Sequence, residues 1–390
     1  MSGLARVLAG AAVVLAVLCL AVYLSDPWFW KRLFTFPGPQ AVADVEWFQP
    51  TEVVPAGTRR ELSTAAPDRA GIPSETLAAA LEYATQTDSL ALLVWHRDAL
   101  ALERYWSGQD AGSRTDGGGI HATILGLLYG VALEEGLIAS LDEPVASYLP
   151  EWRHDVRGKI RIRDFLQMAS GLELGAVSIN PWNPALRLFL SGNVTTVALS
   201  TPMATVPGTQ FEYSSVDAEI LGIILQRASG KRYARYLSER LWSRLGTGAA
   251  LVWLDHEAGM ARTFCCLQAS ARDWLAVGRL ILDSGQVGSA QVVPAAFIAE
   301  MLKPSAANPN FGLEVWFGDA PAGVRRYNRH SEVYARQSEA FLAPDVIVLD
   351  GGGLRVYIVP SRQLVIVRVG ARRADWDDAK LPNAILRGVS

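Results

Sequence analysis

Gly117–Pro150 reads GGGIHATILGLLYGVALEEGLIASLDEPVASYLP. Ile120, Ile124, Leu127, Leu128, Val131 and Leu133 recur at three- and four-residue steps, which predicts a helix with a broad apolar face. Gly136, after Glu134-Glu135, is placed to end that helix in the left-handed region. Leu141-Asp142-Glu143-Pro144 then turns the chain into a short second helical piece. Periodicity alone gives a buried helix followed by a turn.

Working outward, Leu90–His96 and Ala99–Trp106 are two strand-like runs around Arg97-Asp98, a hairpin pattern. Ser74–Thr85 has helical spacing. Downstream, Ile162-Arg-Asp-Phe-Leu-Gln-Met-Ala-Ser-Gly-Leu-Glu173 predicts a helix whose apolar residues Ile162, Phe165 and Leu166 pack inward, capped by Gly171. Ser170 is then a helix-end residue rather than a nucleophile, and no Gly-x-Ser-x-Gly elbow surrounds it. Pro207-Gly-Thr-Gln-Phe-Glu-Tyr-Ser-Ser215 precedes a helix over Ala218–Ala228, and Ala269-Ser-Ala-Arg-Asp-Trp274 opens another. Val356–Pro360 and Leu364–Val369 form a closing hairpin, and Asp375–Leu386 a last helix.

These strings, in this order over roughly Leu90–Arg372, resemble the serine β-lactamase-like hydrolases. That group takes in class C β-lactamases, D-alanyl-D-alanine carboxypeptidases, esterases and 6-aminohexanoate-dimer hydrolases. The resemblance implies an α+β, β-lactamase/transpeptidase-like fold: an antiparallel sheet flanked by helices, a helical lobe, and a cleft between them. It also implies that the helix at 120 opens with Ser-x-x-Lys, a nucleophile with its activating cation one turn on. Counting back from Gly136 puts the serine position at Gly119 and the lysine position at Ala122, and neither side chain has the required chemistry. No other register supplies the motif. The chain has lysines only at 31, 159, 231, 303 and 380, and three residues before them stand Trp28, Val156, Ala228, Glu300 and Asp377.

The family's second motif falls on Tyr213, with Ser215 where asparagine is usual. Tyrosine has a pKa of ~10 and needs a nearby cation to act as a base, and the family's lysine is missing. The third motif, a strand edge that binds the substrate carbonyl, falls on Asp350, Gly351, Gly352 and Gly353, followed by Leu354. An anionic Asp350 there is expected to repel a substrate carboxylate. His121, in the opening turn of the helix, is the nearest candidate base and is expected to be partly exposed.

The net charge of −3 gives no electrostatic footprint for nucleic acid. The five histidines show no metal-ligand spacing, so no metal and no cofactor are assigned. Cys265 and Cys266 are expected as buried structural thiols. Val7–Leu24 is an unbroken run of apolar residues and glycine, long enough at ~1.5 Å per residue to span a bilayer core. Trp28-Phe-Trp-Lys-Arg32 follows as an interfacial aromatic and basic belt would. The expected organisation is a transmembrane anchor over 1–32, an extended lead-in over 33–72 and a hydrolase-like domain over 73–390, with the globular part extracytoplasmic. The expected function is that of a catalytically impaired relative whose cleft holds a small-molecule or peptide-like ligand. The alternative is an active amide or ester hydrolase in which Tyr213, Ser215 and His121 activate water.

Overall fold

The computed structural model describes residues 2–38, 45–318, 323–330, 334–373 and 375–389. It opens with helix α1 (Ser2–Ser25), helix α2 (Pro27–Thr35) and strand β1 (Thr51–Val54). Helix α3 (Ser74–Gln86) leads to β2 (Ser89–His96), β3 (Ala99–Tyr105), β4 (Arg114–Asp116) and helix α4 (Ile120–Glu134). Short helices α5 (Ile162–Leu166), α6 (Pro184–Leu190) and α7 (Val194–Leu199) precede α8 (Ser215–Ser229) and α9 (Tyr233–Arg240). Strands β5 (Ala250–Trp253) and β6 (Leu267–Ser270), helix α10 (Ala271–Leu282), the small hairpin β7 (Gln286–Val287) and β8 (Ala290–Gln291), and helix α11 (Ala295–Met301) follow. The last part holds β9 (Trp316–Phe317), β10 (Gly323–Arg326), β11 (Tyr334–Gln337), β12 (Ile347–Asp350), β13 (Arg355–Val359), β14 (Leu364–Gly370) and α12 (Lys380–Leu386).

Six strands form one antiparallel sheet in the order β3-β2-β14-β13-β12-β9. Every residue of β13 and β14 is buried, because helices cover both faces of the sheet centre. A strand covered on both sides loses its polar alternation, which is why Leu364–Val369 reads as an almost unbroken apolar run. Helix α10 lies on β2, β13 and β14, and α3 packs with α12. Helix α4 is buried from Ile120 to Ala132, as an all-round apolar helix must be, and packs on α8, α9, α11 and β12. Gly136 adopts φ +68° just past its end, as its position predicts. A second antiparallel sheet, β1-β5-β6-β4, feeds directly into the glycine triplet before α4: Thr115 pairs with Ala269, and the Gly117 amide donates to the Leu267 carbonyl at 2.8 Å.

Several local expectations are corrected. The segment over 33–72 is not a bare extended lead-in, because β1 joins the second sheet through pairs such as Thr51 with Trp253. Residues 39–44 of that segment lie outside the described residues. The aromatic and basic belt does not all face outward. Phe29 is fully buried, and the Arg32 guanidinium donates to the carbonyls of Leu190 (3.1 Å), Ser191 (3.2 Å), Gln49 (3.1 Å) and Leu254 (2.9 Å). Cys265 and Cys266 are bonded to each other rather than free; adjacency and burial against Trp253 and Phe48 hold the two sulfurs together. The last helix begins at Lys380, because Asp377 and Asp378 are taken up by side-chain bonds to the preceding elements.

Candidate active site

Gly119 sits at the N-terminus of α4 with helical angles, φ −63° and ψ −14°. A Cβ there would lie 2.6 Å from the Tyr213 hydroxyl and 2.5 Å from the Asp350 carbonyl oxygen. The space a nucleophilic side chain would need is therefore filled by the tyrosine and the strand edge. The neighbouring glycines allow the same closure. A Cβ on Gly118 would strike the Gly351 carbonyl oxygen, and one on Gly351 would strike the Gly117 carbonyl oxygen. Backbone lies directly on backbone, an approach that side chains on either segment would prevent. Ala122, one turn on, is buried in the core.

The structure thus brings Gly119, Tyr213, Asp350 and Gly351 together. Tyr213 is half-buried, stacked on Trp316 at 5.8 Å between ring centroids and edge-on to Tyr327 and Phe311. Burial pushes its pKa well above the ordinary tyrosine value, and the negative charges of Glu314 and Asp350 push it the same way. These surroundings favour the protonated phenol over the phenolate.

Asp350 does not present a free charge to a ligand. It is buried, paired with Arg355 and with Arg325 (3.1 Å), and it accepts from the Tyr327 hydroxyl (2.5 Å) and the Gly352 amide (2.9 Å). Asp378 pairs with the same two arginines at 2.8 Å each. The charge of Asp350 is thus balanced within the protein, since Arg325 and Arg355 together face the two aspartates. Gly352 takes the left-handed backbone at φ +80°, while Gly353 packs under the Gly370 carbonyl.

His121 is the clearest correction. It is fully buried, two positions along α4 from Gly119 and so on another side of the helix. Nδ1 contacts the Cys265 carbonyl at 2.6 Å and Nε2 the Tyr233 hydroxyl at 2.8 Å. A carbonyl only accepts, so Nδ1 carries the proton and Nε2 accepts from the tyrosine. Burial lowers its pKa to about 4, and the ring stays neutral. With both nitrogens taken up and the ring buried, His121 presents no free nitrogen to the cleft.

Ser215 is exposed as the first residue of α8, on the wall of a cavity of about 370 Å³. That volume is within the range of small-molecule sites. Leu172, Leu186, Leu188, Phe189 and Phe264 make its apolar surface, with Tyr213, Ser214, Asn328 and the Glu173–His330 pair at its polar side. His330 lines it, whereas Trp316 packs behind Tyr213.

Two residues that the sequence did not single out bear on the site. Asp116 accepts from the Gly118 amide (3.0 Å) and the Cys266 amide (2.7 Å), which fixes the glycine triplet. Its burial raises its pKa to about 6, despite those two donors. Glu314 is buried at φ +59° with no partner on either carboxylate oxygen among the described residues. It lies against α4, where the Thr123 hydroxyl donates to its carbonyl at 2.7 Å. Its only sequence signal is an acid inside the largely apolar run Phe311-Gly-Leu-Glu-Val-Trp-Phe317.

A family profile described as Beta-lactamase matches residues 75–388. A 6-aminohexanoate-dimer hydrolase of Paenarthrobacter ureafaciens is 24% identical over 227 residues, which is 56% of this chain and 58% of that protein. The chain thus spans little more than half the length of that relative. Among solved structures, a Bacillus anthracis protein assigned as a 6-aminohexanoate-dimer hydrolase superposes with a TM-score of 0.69 at 18% identity, covering 92% of this chain and 94% of that one. A D-stereospecific amidohydrolase from Streptomyces gives 0.56 at 16% identity, covering 82% and 100%. With helices on both faces of an antiparallel sheet, a buried helix opening at Gly119 beside Tyr213 and a match over most of its length, the chain belongs to the beta-lactamase-like serine hydrolase family.

Proposed function

We propose that this chain is a catalytically silent, membrane-held member of its family that binds a small-molecule or peptide-like ligand in the cavity beside Tyr213. The observation that carries the reading is the filled space at Gly119. A nucleophile is absent there, and the tyrosine hydroxyl and the Asp350 carbonyl occupy the place it would take. Ala122 supplies no cation, Tyr213 is held protonated, and His121 faces away. Loss of both nucleophile and base leaves at most the residual rate that binding alone supports.

The cavity itself persists beside the closed site, apolar along α6 and polar at Ser215 and Asn328. A ligand with an apolar chain and an amide or carboxyl end matches that surface. The exposed apolar helix α1, with its span over Ala5–Ser25, supports the membrane-held part of the reading.

The test is intact-protein mass after incubation with a fluorophosphonate and, separately, with a β-lactam. The unmodified chain is expected to gain no adduct. A stoichiometric adduct would overturn the reading, and peptide mapping would name the nucleophile.

A further inference from the structure

The surface that adjoins the end of α1 is the loop over 174–186. From Leu174 to Leu186 the chain carries no charged residue. Val177 is 76% exposed, Ile179 94% and Trp182 67%. Single exposed apolar residues are ordinary, but three large ones within six positions, without a charge among them, form a patch that needs a partner. The loop is closed on itself: the Asn183 side-chain amide donates to the Ala176 carbonyl at 2.8 Å, and the Trp182 amide to the Asn180 side chain at 3.0 Å. Its apolar side chains are therefore displayed from a tied loop.

The position of that loop relative to the anchor is fixed by one arginine. The Arg187 guanidinium donates to the Pro181 carbonyl at 3.3 Å and to the Asp26 carboxylate at 3.1 Å, and it stacks over the Phe29 ring. Asp26 is the residue that follows α1. Its buried carboxylate also accepts from the Phe29 amide (3.0 Å), the Ser191 hydroxyl (2.6 Å) and the Gly192 amide (2.9 Å). The Trp30 indole donates back to the Val22 carbonyl of α1 at 3.0 Å. The end of α1 is thus tied to the domain, and Pro181-Trp182 lies one guanidinium away from it. Phe34, 77% exposed, and the exposed Lys31 stand on α2 beside the same exit.

We infer that the loop over 174–186 is a second membrane contact, inserting Val177, Ile179 and Trp182 into the bilayer interface next to the anchor. The inference rests on the membrane reading of α1. Trp is at home at that depth, aliphatic neighbours gain by leaving water, and Lys31 meets the anionic headgroups. Val177 also lines the cavity beside Tyr213, together with Leu186 and Phe189. A seated loop would therefore place one wall of that cavity at the lipid surface.

The experiment uses the full chain in vesicles of phosphatidylcholine and phosphatidylglycerol. Cys19, the only free cysteine among the described residues, is replaced by serine, and a cysteine carrying an environment-sensitive fluorophore is introduced by Ile179→Cys. A second preparation carries the label by Leu342→Cys, at a residue 52% exposed and held beside Asn383 of α12. The expected result is a blue-shifted emission at 179, quenched several-fold more than at 342 by lipids spin-labelled near the headgroup. Flotation of the vesicles reports the anchor separately. Co-flotation with a 179 label as water-exposed as the 342 label would overturn the loop contact alone. Failure to float would overturn the anchor and the loop contact together.

Discussion

Gly119 has backbone angles that admit any L-residue, so only side-chain volume decides what fits there. Gly119→Ser is expected to destabilise the fold by ~1–3 kcal/mol, the range for an overpacked site, as measured by urea unfolding. Tyr213→Phe should recover part of that loss, because it removes the hydroxyl that lies 2.6 Å from the new Cβ. Equal losses with and without the tyrosine hydroxyl would mean that the strand edge alone closes the site. Glu314 is a second test at this scale. Burial raises its pKa well above the ordinary carboxylate range, and the charge of Asp217 adds to the rise. A group raised in this way contributes stability that is full below the unfolded value and is lost as pH rises through the folded one. The protein should therefore lose stability from this site as pH rises above the unfolded carboxyl value of ~4.3. Glu314→Gln should remove that loss and stabilise the fold at pH 7 by ~1–3 kcal/mol. Identical pH profiles for the two proteins would show that the carboxyl has a partner.

Helix α2 is the element whose role a linear reading misjudges. Trp28-Phe-Trp-Lys-Arg32 has the composition of an interfacial belt, yet Arg32 lies between the rings of Trp28 and Trp253 and satisfies four backbone carbonyls. Composition cannot distinguish a cation aimed at headgroups from one aimed at carbonyls distant in sequence. The planar guanidinium fork reaches all four; an ammonium on a flexible stem does not. Arg32→Lys is expected to cost at least ~1–3 kcal/mol in thermal unfolding and to expose the Thr35–Phe36 junction to proteolysis. Helix α4 is the opposite case. Its apolar periodicity and its glycine stop were legible because they are local, and the helix forms where the spacing puts it.

On the scale of the whole molecule, α1 is an appendage and α2 is part of the domain. The α1 span is exposed along its length, whereas Phe29 and Arg32 are buried. A chain beginning at Asp26 should keep the melting temperature of the full protein. A chain beginning at Phe36 should melt at least several degrees lower, since it lacks the Asp26 and Arg32 bonds. Equal melting of the two truncated chains would show that α2 contributes nothing to the domain. The hydrolase-like architecture was legible because it is written in several ordered strings, each a helix start, a turn or a hairpin.

The sequence by itself determined the family, the antiparallel sheet flanked by helices, and the glycine at 119 and alanine at 122. Those follow from local spacing and from residue identity, which need no coordinates. Only the tertiary structure decided that the place of the missing side chain is closed, that His121 is a buried spacer and that Asp350 is neutralised. It also revealed that the Glu314 carboxylate has no partner among the described residues, and the bond between Cys265 and Cys266. These depend on which distant segments meet: the carbonyl at 350 over the glycines at 117–119, Tyr233 against His121, Arg325 and Arg355 against Asp350. A side chain's chemistry is fixed by its own atoms, but its charge and reach are set by neighbours that the linear order does not name.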